Sequence, residues 1–312
     1  MSNYIAIDGG TTNTRVMLLR DRELLDSIRL SIGARKSIEG CELLKSEIKR
    51  AIQALLVKNG LDETAVTAIL ASGMITSEFG LCHLEHISAP AGIRELHAAM
   101  ETVYLHDVSS IPFTFIRGVK VDAEGFEHFD IMRGEETELM GILDATYGEC
   151  AYVLPGSHSK IIRVDNEGRI ADFCTMLTGE MIGALREQTI LKDAVDLTLS
   201  ETDTEYLLQG YDSAVKMGIN QALFKVRILK SFLGLDKTAV YSFFLGVVLS
   251  AEIEQILRMD VKAVVLGGKA QIKHAMADIL KRRDTKRIVI LDEHTVALSV
   301  AIGALRIFEG QS

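Results

Sequence analysis

The chain opens with short apolar runs separated by small polar turns, a pattern that predicts β-strands. Apolar residues 4–7 end at Asp8, and a second apolar run, 16–19, follows the turn Gly9-Gly10-Thr11-Thr12-Asn13. Glycine adopts positive φ readily and has no Cβ, so such a turn lets a ligand approach the backbone. Walker and dinucleotide loops open into a helix, whereas this turn leads into another strand. The pattern predicts a β-hairpin whose tip can bind an anion through backbone N–H groups.

The same pattern returns in the middle of the chain. Apolar residues 151–154 precede the turn Pro155-Gly156-Ser157-His158-Ser159, and further apolar runs predict strands over 160–164 and 169–173. One glycine turn alone is typical of an ordinary hairpin. Two copies with the same strand, turn and strand order indicate two related halves. We expect each half to offer one turn to a single polyphosphate.

The rest of the chain alternates predicted helices with buried strands, which indicates an α/β fold. Helices are predicted over 37–60, 92–100, 137 onward, most of 175–236, 238–259, 270–282 and 295–308. The predicted strand 64–71 ends at Ser72-Gly73-Met74, and the strand 261–266 ends at Gly267-Gly268. Ligands bind α/β sheets at such carboxyl ends of strands. We therefore expect both loops to lie near a binding site.

Composition narrows the class of protein. The chain of 312 residues is long enough for about two domains, and its 48% hydrophobic and 25% charged residues predict a soluble globular protein. A net charge of -9 argues against nucleic acid or an anionic membrane as the main partner. The four cysteines form no CxxC pair, which favours free thiols in a reducing, cytoplasmic setting over a metal or redox site.

Carboxylates mark two places along the chain. Asp8 directly precedes the first glycine turn, and a carboxylate beside a phosphate site is expected to act through a divalent metal. Arg133-Gly134-Glu135-Glu136 precedes the helix predicted from Thr137 onward. Acidic residues in a first helical turn often only complement the helix dipole. This helix leads directly into the second hairpin, however, so its start can also face a bound ligand.

Together these elements resemble the actin, hexokinase and Hsp70 superfamily of ATP-handling proteins. Within it, the chain resembles the 2-dehydro-3-deoxygalactonokinase family along nearly its full length. The matching segments are IAIDGGTTNTRV, ASGMITS, MRGEETEL, LPGSHSK, MLTGE, FKVR and the terminal helix. The resemblance implies two ribonuclease-H-like (actin/hexokinase-like) domains with an interdomain ATP cleft. A sugar-side domain would comprise residues 1–147 and the terminal helix 295–312, and a nucleotide-side domain would comprise residues 148–294.

The resemblance also implies a reaction. ATP, with Mg²⁺, would phosphorylate the terminal hydroxyl of 2-dehydro-3-deoxy-D-galactonate, giving the 6-phosphate in galactonate catabolism. Asp8 would hold the magnesium ion through water. Glu135 or Glu136 would be the catalytic base, at the place where related sugar kinases carry Asp, and Asp172 is a further candidate.

The remaining site residues implied by the resemblance fall into two groups. The residues implied to bind the nucleotide are Gly9, Gly10, Thr11, Thr12, Asn13, Gly156, Ser157, His158, Ser159, Lys160, Gly267 and Gly268. The residues implied to bind the sugar acid are Arg15, Ser72, Gly73, Met74, Arg133, Gly179, Glu180 and Arg227. A planar guanidinium suits the substrate carboxylate, so Arg133 and Arg15, and then Arg227, are its candidate partners.

Two alternatives stay open at this stage. The same fold could phosphorylate another keto-deoxy sugar acid or a sugar, because epimers differ modestly in binding energy. The chain could also be a non-catalytic nucleotide switch like actin or Hsp70. The expected partners are a small sugar acid and ATP, and the sequence leaves a homodimer open.

Overall fold

The computed structural model describes residues 1–39, 41–122, 125–268 and 270–310. The chain divides into two compact units. Unit 1 comprises Met1–Gly148, Asp165–Asp172 and His294–Ser312, and unit 2 comprises Glu149–Val164 and Phe173–Glu293. Segment Asp165–Asp172 groups with unit 1, whereas the sequence-based boundaries place it in the second domain. Residues 311 and 312 of the expected terminal segment lie outside the described residues.

The strands and helices follow in chain order. The strands are β1 (Asn3–Gly9), β2 (Thr14–Arg20), β3 (Glu23–Leu30), β4 (Val66–Gly73), β5 (Ile87–Ser88), β6 (Glu101–Val103), β7 (Phe113–Phe115), β8 (Val119–Val121), β9 (Asp130–Met132), β10 (Cys150–Leu154), β11 (Ser159–Val164), β12 (Ile170–Met176), β13 (Ala263–Leu266) and β14 (Arg287–Ile290). The helices are α1 (Glu42–Lys58), α2 (Ile93–Ala98), α3 (Glu135–Ile142), α4 (Thr178–Gln188), α5 (Thr204–Met217), α6 (Ile219–Ser231), α7 (Lys237–Arg258), α8 (Ala270–Arg283) and α9 (Glu293–Glu309).

Unit 1 is built on a six-stranded sheet in the order β3-β2-β1-β4-β7-β6. β1 pairs antiparallel with β2 and parallel with β4. Alternate residues of a strand point to opposite faces. Ile5 and Ile7 therefore join the core that includes the buried residues of α1, whereas Ala6 packs with Met17 and with Ala301 of α9. Helices thus cover both faces of this sheet.

Unit 2 repeats this plan with a five-stranded sheet in the order β12-β11-β10-β13-β14. β10 pairs antiparallel with β11 and parallel with β13, and β13 pairs parallel with β14. The unit's core contains the apolar residues of α7. Of the described helices, only α7 is long and apolar enough to cross a membrane by length and composition, and 78% of its most apolar window is buried. Its apolar character is that of a core helix.

The structure confirms the α/β class and the two ribonuclease-H-like sheets. Both glycine turns lie at hairpin tips, between β1 and β2 and between β10 and β11. Two helix starts differ from the sequence-based expectation. The helix expected from residue 37 begins at Glu42, after a short 3₁₀ segment over Ala34–Glu39. Helix α3 begins at Glu135, so the acidic residues form its first turn.

Candidate functional site

Strand pairing brings three polar side chains together at one end of the unit 1 sheet. Asp8 on β1 lies opposite Arg15 on β2 and opposite Ser72 on β4. Directly paired residues point to the same face of a sheet, which here is the face covered by α9. The Arg15 guanidinium accordingly donates a 3.0 Å hydrogen bond to the carbonyl oxygen of Ala297 and lies 3.5 Å from the Asp8 carboxylate. The Ser72 hydroxyl is buried and has no hydrogen-bond partner within the described ranges.

Close contacts between glycine backbones place helix α3 against these strand ends. Gly73 has φ +84°, and a Cβ on it would lie 2.6 Å from the carbonyl oxygen of Gly9. Gly134 precedes α3 with φ +115°, and a Cβ on it would lie 3.2 Å from Gly73 Cα. Positive φ and the lack of space both favour glycine here. Gly9, Gly73 and Gly134 therefore bring the first turn of α3 next to Asp8.

Glu136 and Glu135 occupy different surroundings at this helix start. Glu136 is fully buried, and its two carboxylate oxygens accept from the Gly134 N–H at 2.9 and 2.7 Å, with a third bond from the Thr137 hydroxyl at 3.0 Å. Burial, and then the neighbouring Glu135 charge, raise the pKa of Glu136 to about 7. Glu135 is partly exposed and accepts from the Arg133 N–H at 3.2 Å. Of the two, only Glu135 keeps access to solvent.

Glu138 is a third carboxyl of this cluster, and the sequence-based prediction does not include it. It lies on α3 three residues after Glu135, a spacing that puts two side chains on one helix face. Burial, and then the charges of Glu135 and Asp8, raise the pKa of Glu138 to about 8, while Arg15 opposes this shift. Burial also raises the pKa of Asp8, against the effect of Arg15. The spacing within MRGEETEL was the signal that could have identified Glu138.

The side chain of Arg133 points to the loop that follows β4. Its guanidinium donates to the Thr76 carbonyl oxygen at 2.8 Å, to the Thr76 hydroxyl at 2.7 Å and to the Leu84 carbonyl oxygen at 3.0 Å, and it lies 3.2 Å from His86 Nδ1. Burial, and then the Arg133 charge, lower the pKa of His86 to about 4. A neutral imidazole can accept a hydrogen bond. Arg133 thus ties the residues just before α3 to residues 76–86.

The first glycine turn is braced from one side and open on the other. The Gly10 N–H donates to the Asn13 carbonyl oxygen at 2.9 Å, and the N–H groups of Ala34 and Arg35 donate to Gly10 and Thr11 carbonyl oxygens. A Cβ on Gly33 would overlap the backbone of Gly10. Thr11 and Thr12 are nevertheless exposed. The backbone of the turn is therefore held by hydrogen bonds, while the Thr11 and Thr12 side chains are accessible to solvent.

In unit 2, the second glycine turn packs against two other predicted site segments. Gly268 has φ +70°, and a Cβ on it would lie 2.5 Å from the Pro155 carbonyl oxygen. A Cβ on Gly179, in the first turn of α4, would overlap the Gly156 backbone. The Glu180 N–H donates to the Ser157 carbonyl oxygen at 3.2 Å. The structure therefore groups residues 155–158 with Gly179, Glu180, Gly267 and Gly268.

Side chains of this second group differ in accessibility. Ser157 and His158 are exposed, and His158 Nε2 lies 3.1 Å from the Glu180 carboxylate. Ser159 and Lys160 are buried, and the Lys160 ammonium donates to the Thr175 hydroxyl at 2.6 Å. A ligand at this turn would therefore meet residues 156–158 directly, with Ser159 and Lys160 behind them.

Three predicted site residues are not among the contacts described for Asp8 or for the second glycine turn. Arg227 is exposed on α6, a helix that packs on α5 and α7. Asp172 is exposed on β12. Met74 follows Gly73 and begins the 3₁₀ segment Met74–Thr76. Of these three, only Met74 adjoins the cluster around Asp8 through its place in the chain.

The donor groups suit a nucleotide-bound magnesium ion better than a protein-only metal cage. Among the described residues, no group of three or more His, Cys, Asp or Glu side chains is arranged to hold a metal ion. Magnesium is usually held by one or two carboxylates together with water and substrate phosphates. The partly exposed carboxylate of Asp8, with Glu138 nearby, fits that mode of binding.

Comparisons with known proteins agree on one family. The profile of the family described as 2-keto-3-deoxy-galactonokinase matches residues 8–301. The 2-dehydro-3-deoxygalactonokinase of Escherichia coli (strain K12) is 28% identical over 253 residues, which cover 81% of this chain and 80% of that protein. A Rhizobium meliloti (strain 1021) protein provisionally named for the same activity is 27% identical over 207 residues, or 64% of this chain and 60% of the relative.

A solved structure shares the fold along nearly the whole chain. It is a Sinorhizobium meliloti protein provisionally assigned as a 2-dehydro-3-deoxygalactonokinase. The two chains superpose with a TM-score of 0.77, are 22% identical in sequence, and are each covered to 97%. At this level of identity, the likeness concerns the fold.

Proposed function

The chain belongs to the 2-keto-3-deoxy-galactonokinase family, and we propose from this premise that it phosphorylates 2-dehydro-3-deoxy-D-galactonate with ATP. The product is the 6-phosphate. The observation that carries the proposal is the family match over residues 8–301, which includes both glycine turns and the acidic start of α3. Phosphoryl transfer needs mainly positioning and electrostatic stabilisation. The glycine turns of the two units suit the task of positioning, and the carboxylates of unit 1 suit the electrostatic task.

We assign metal binding and proton acceptance to carboxylates of unit 1. Asp8 would hold Mg²⁺ through water, and the ion would supply positive charge to the phosphates. Glu135 accepts the proton of the terminal substrate hydroxyl, because it is the partly exposed carboxylate in the first turn of α3. Glu136 keeps the helix start in place through its bonds to Gly134 and Thr137. Glu138 modulates the charge felt by Asp8 and Glu135.

The glycine turns bind the nucleotide. The turns over residues 9–13 and 156–158 line the phosphates. Their backbone N–H groups, other than the Gly10 N–H bonded to Asn13, and their hydroxyls donate to phosphate oxygens, which is a common way to bind such anions. Gly267 and Gly268 lie beside the second turn and border the adenosine. Support for this assignment is the exposure of Thr11, Thr12, Ser157 and His158 at tips with a braced backbone.

Arg15 is the best placed of the candidate partners for the substrate carboxylate. Its side chain is 32% exposed and lies beside Asp8. Arg133, in contrast, directs its guanidinium to Thr76, Leu84 and His86. We assign Arg133 to holding the loop with Ser72, Gly73 and Met74 near the substrate.

An ADP-release assay across a panel of acids tests the proposed function. The unaltered protein with ATP and Mg²⁺ should release ADP on addition of 2-dehydro-3-deoxy-D-galactonate, and much more slowly with its epimers and with neutral hexoses. Asp8→Asn should abolish most of this turnover. Lys58→Gln, at the last residue of α1, is the control and should leave the rate unchanged.

If a different acid or sugar is the preferred acceptor, the substrate assignment is wrong. If none is phosphorylated but ATP binding persists, the chain is a nucleotide switch.

A further inference from the structure

A carboxyl group buried on helix α7 of unit 2 has no cationic partner among the residues that the structure describes. Glu252 is fully buried on α7, among the apolar residues of that helix. The groups that act on it among the described residues are the hydroxyls of Thr178 and Ser159. Burial raises the pKa of Glu252. A buried carboxyl is costly unless it is neutral or hydrogen-bonded.

The two hydroxyls lie on either side of the second glycine turn. Ser159 is the residue directly after His158 and is the first residue of β11. Thr178 is the first residue of α4 and donates a hydrogen bond to Glu252 Oε1. Gly179, which follows Thr178, packs on the backbone of Gly156 and Ser157. The Glu252 carboxyl therefore lies next to the start of β11, which follows the turn, and next to the start of α4, which packs on the turn.

We propose that Glu252 is a positioning residue that fixes the second glycine turn in the shape that binds nucleotide phosphates. The proposal rests on the proposed function, because it takes residues 156–158 as phosphate ligands. Glu252 touches neither nucleotide nor sugar acid. Glu252 Oε1 accepts the hydrogen bond of the Thr178 hydroxyl. The Ser159 hydroxyl also acts on the Glu252 carboxyl, and both Ser159 Oγ and Glu252 Oε2 are buried with no hydrogen-bond partner in the described part of the chain. Loss of this carboxyl removes the acceptor of the Thr178 hydroxyl and the polar group nearest the Ser159 hydroxyl.

Three variants separate positioning from simple folding effects. Glu252→Met keeps the volume, and it removes the hydrogen bond to Thr178 and the carboxyl beside Ser159. Glu252→Gln keeps the shape and one oxygen for Thr178, and its amide can donate to Ser159 Oγ. Glu254→Met is the matched control, because Glu254 lies on the same helix but accepts from Tyr211 and pairs with Arg258 instead. Each is measured for binding of a fluorescent ADP analogue, for KM and kcat with ATP, and for thermal unfolding.

Glu252→Met should weaken ADP binding and raise the KM for ATP by about tenfold, as expected for the loss of buried hydrogen bonds, with a smaller change in kcat. Glu252→Gln should restore both values to within about threefold, and Glu254→Met should leave them unchanged. Unchanged ADP affinity in folded Glu252→Met, or equal losses in Glu254→Met, would overturn the proposal.

A fourth variant, Thr178→Val, tests the proposal if Glu252→Met does not fold. Thr178→Val removes one of the two hydroxyls with little change of shape, and it should raise the KM for ATP in the same direction by a few-fold. No change in that KM would then overturn the proposal. The ADP measurement needs no sugar acid, so it tests the role of Glu252 separately from the proposed kinase activity. A protein that binds ADP normally but phosphorylates no acid contradicts the proposed function and still tests the role of Glu252.

Discussion

At the residue scale, three carboxyl groups of one short helix differ because their surroundings differ. Glu136 is fully buried and bonded to Gly134 and Thr137, whereas Glu135 and Glu138 keep partial access to solvent. A base must reach the hydroxyl from which it takes a proton. Access therefore favours Glu135 over Glu136, and the proximity of Glu138 to Asp8 gives it an electrostatic role instead.

Replacement of Glu135 by glutamine tests the base assignment. Glu135→Gln should lower kcat by about 10²- to 10⁴-fold, the usual contribution of general base catalysis, with ADP affinity nearly unchanged. Glu138→Gln should lower kcat less, because its carboxyl acts through its neighbours. Initial rates and ADP titrations provide the measurement. Full turnover in Glu135→Gln together with a large loss in folded Glu136→Gln would assign the base to Glu136.

The buried carboxyl of Glu136 should make stability depend on pH. Its pKa is about 7 in the folded protein against 4.5 in the unfolded chain. Between these values the folded state binds more protons than the unfolded state, so the free energy of unfolding falls as pH rises from about 4.5 to about 7 and levels off above. A pKa difference of this size corresponds to about 3 kcal/mol. Urea unfolding across this range should show a flatter pH profile for Glu136→Gln than for the unaltered protein, and equal slopes would contradict the assignment.

At the element scale, the position of α3 depends on glycine contacts that other residues cannot make. Gly73→Ala should reduce the free energy of unfolding by roughly 2 to 4 kcal/mol, because it adds backbone strain at φ +84° to a contact of 2.6 Å with Gly9. Gly60→Ala is the control, since Gly60 has φ +64° but nothing within 4 Å of the added Cβ. It should cost only about 1 kcal/mol. Denaturant titration of both variants isolates the packing contribution, and equal losses would show that strain alone acts at Gly73.

Helix α3 also packs closely on α9 through glycine. A Cβ on Gly303 of α9 would overlap the Thr137 carbonyl oxygen of α3, and a Cβ on Gly141 would overlap the Ser299 carbonyl oxygen. Gly303→Ala should therefore destabilise the protein by roughly 1 to 3 kcal/mol and lower kcat by moving the start of α3. Gly183→Ala in α4, where the added Cβ meets nothing within 4 Å, should instead stabilise by about 0.5 to 1 kcal/mol. Thermal unfolding and kcat are measured for Gly303→Ala and Gly183→Ala. A stabilising effect of Gly303→Ala would contradict the close packing of α3 on α9.

At the scale of the whole molecule, the central expectation is that both glycine turns serve one nucleotide. A non-hydrolysable ATP analogue with Mg²⁺ should slow amide hydrogen exchange at residues 9–13 and at residues 156–158. The sugar acid alone should slow exchange near Ser72 and the start of α3. Backbone N–H groups that bind a ligand exchange more slowly because their opening is opposed by binding. Protection of only one turn by the nucleotide would remove the basis for assigning phosphate ligands to both.

The sequence by itself determined the elements and the turns. Apolar periodicity, glycine turns and helix stop signals act over a few residues, so β1, β2, β10, β11 and the apolar helix α7 were predictable with their hairpin tips. The MRGEETEL and LPGSHSK blocks further identified the family, and the comparisons confirm it. Local chemistry also marked Asp8 and the acidic start of α3 as candidate site residues.

Only the tertiary structure decided what surrounds each of these side chains. The burial of Glu136, the proximity of Glu138 to Asp8 and the bonds of Arg133 to Thr76 and Leu84 all join residues from different strands and helices. The same is true of Glu252, which meets Thr178 from a distant part of the chain. Burial, pKa and hydrogen-bond partners are set by packing between segments remote in sequence, and no local pattern records them.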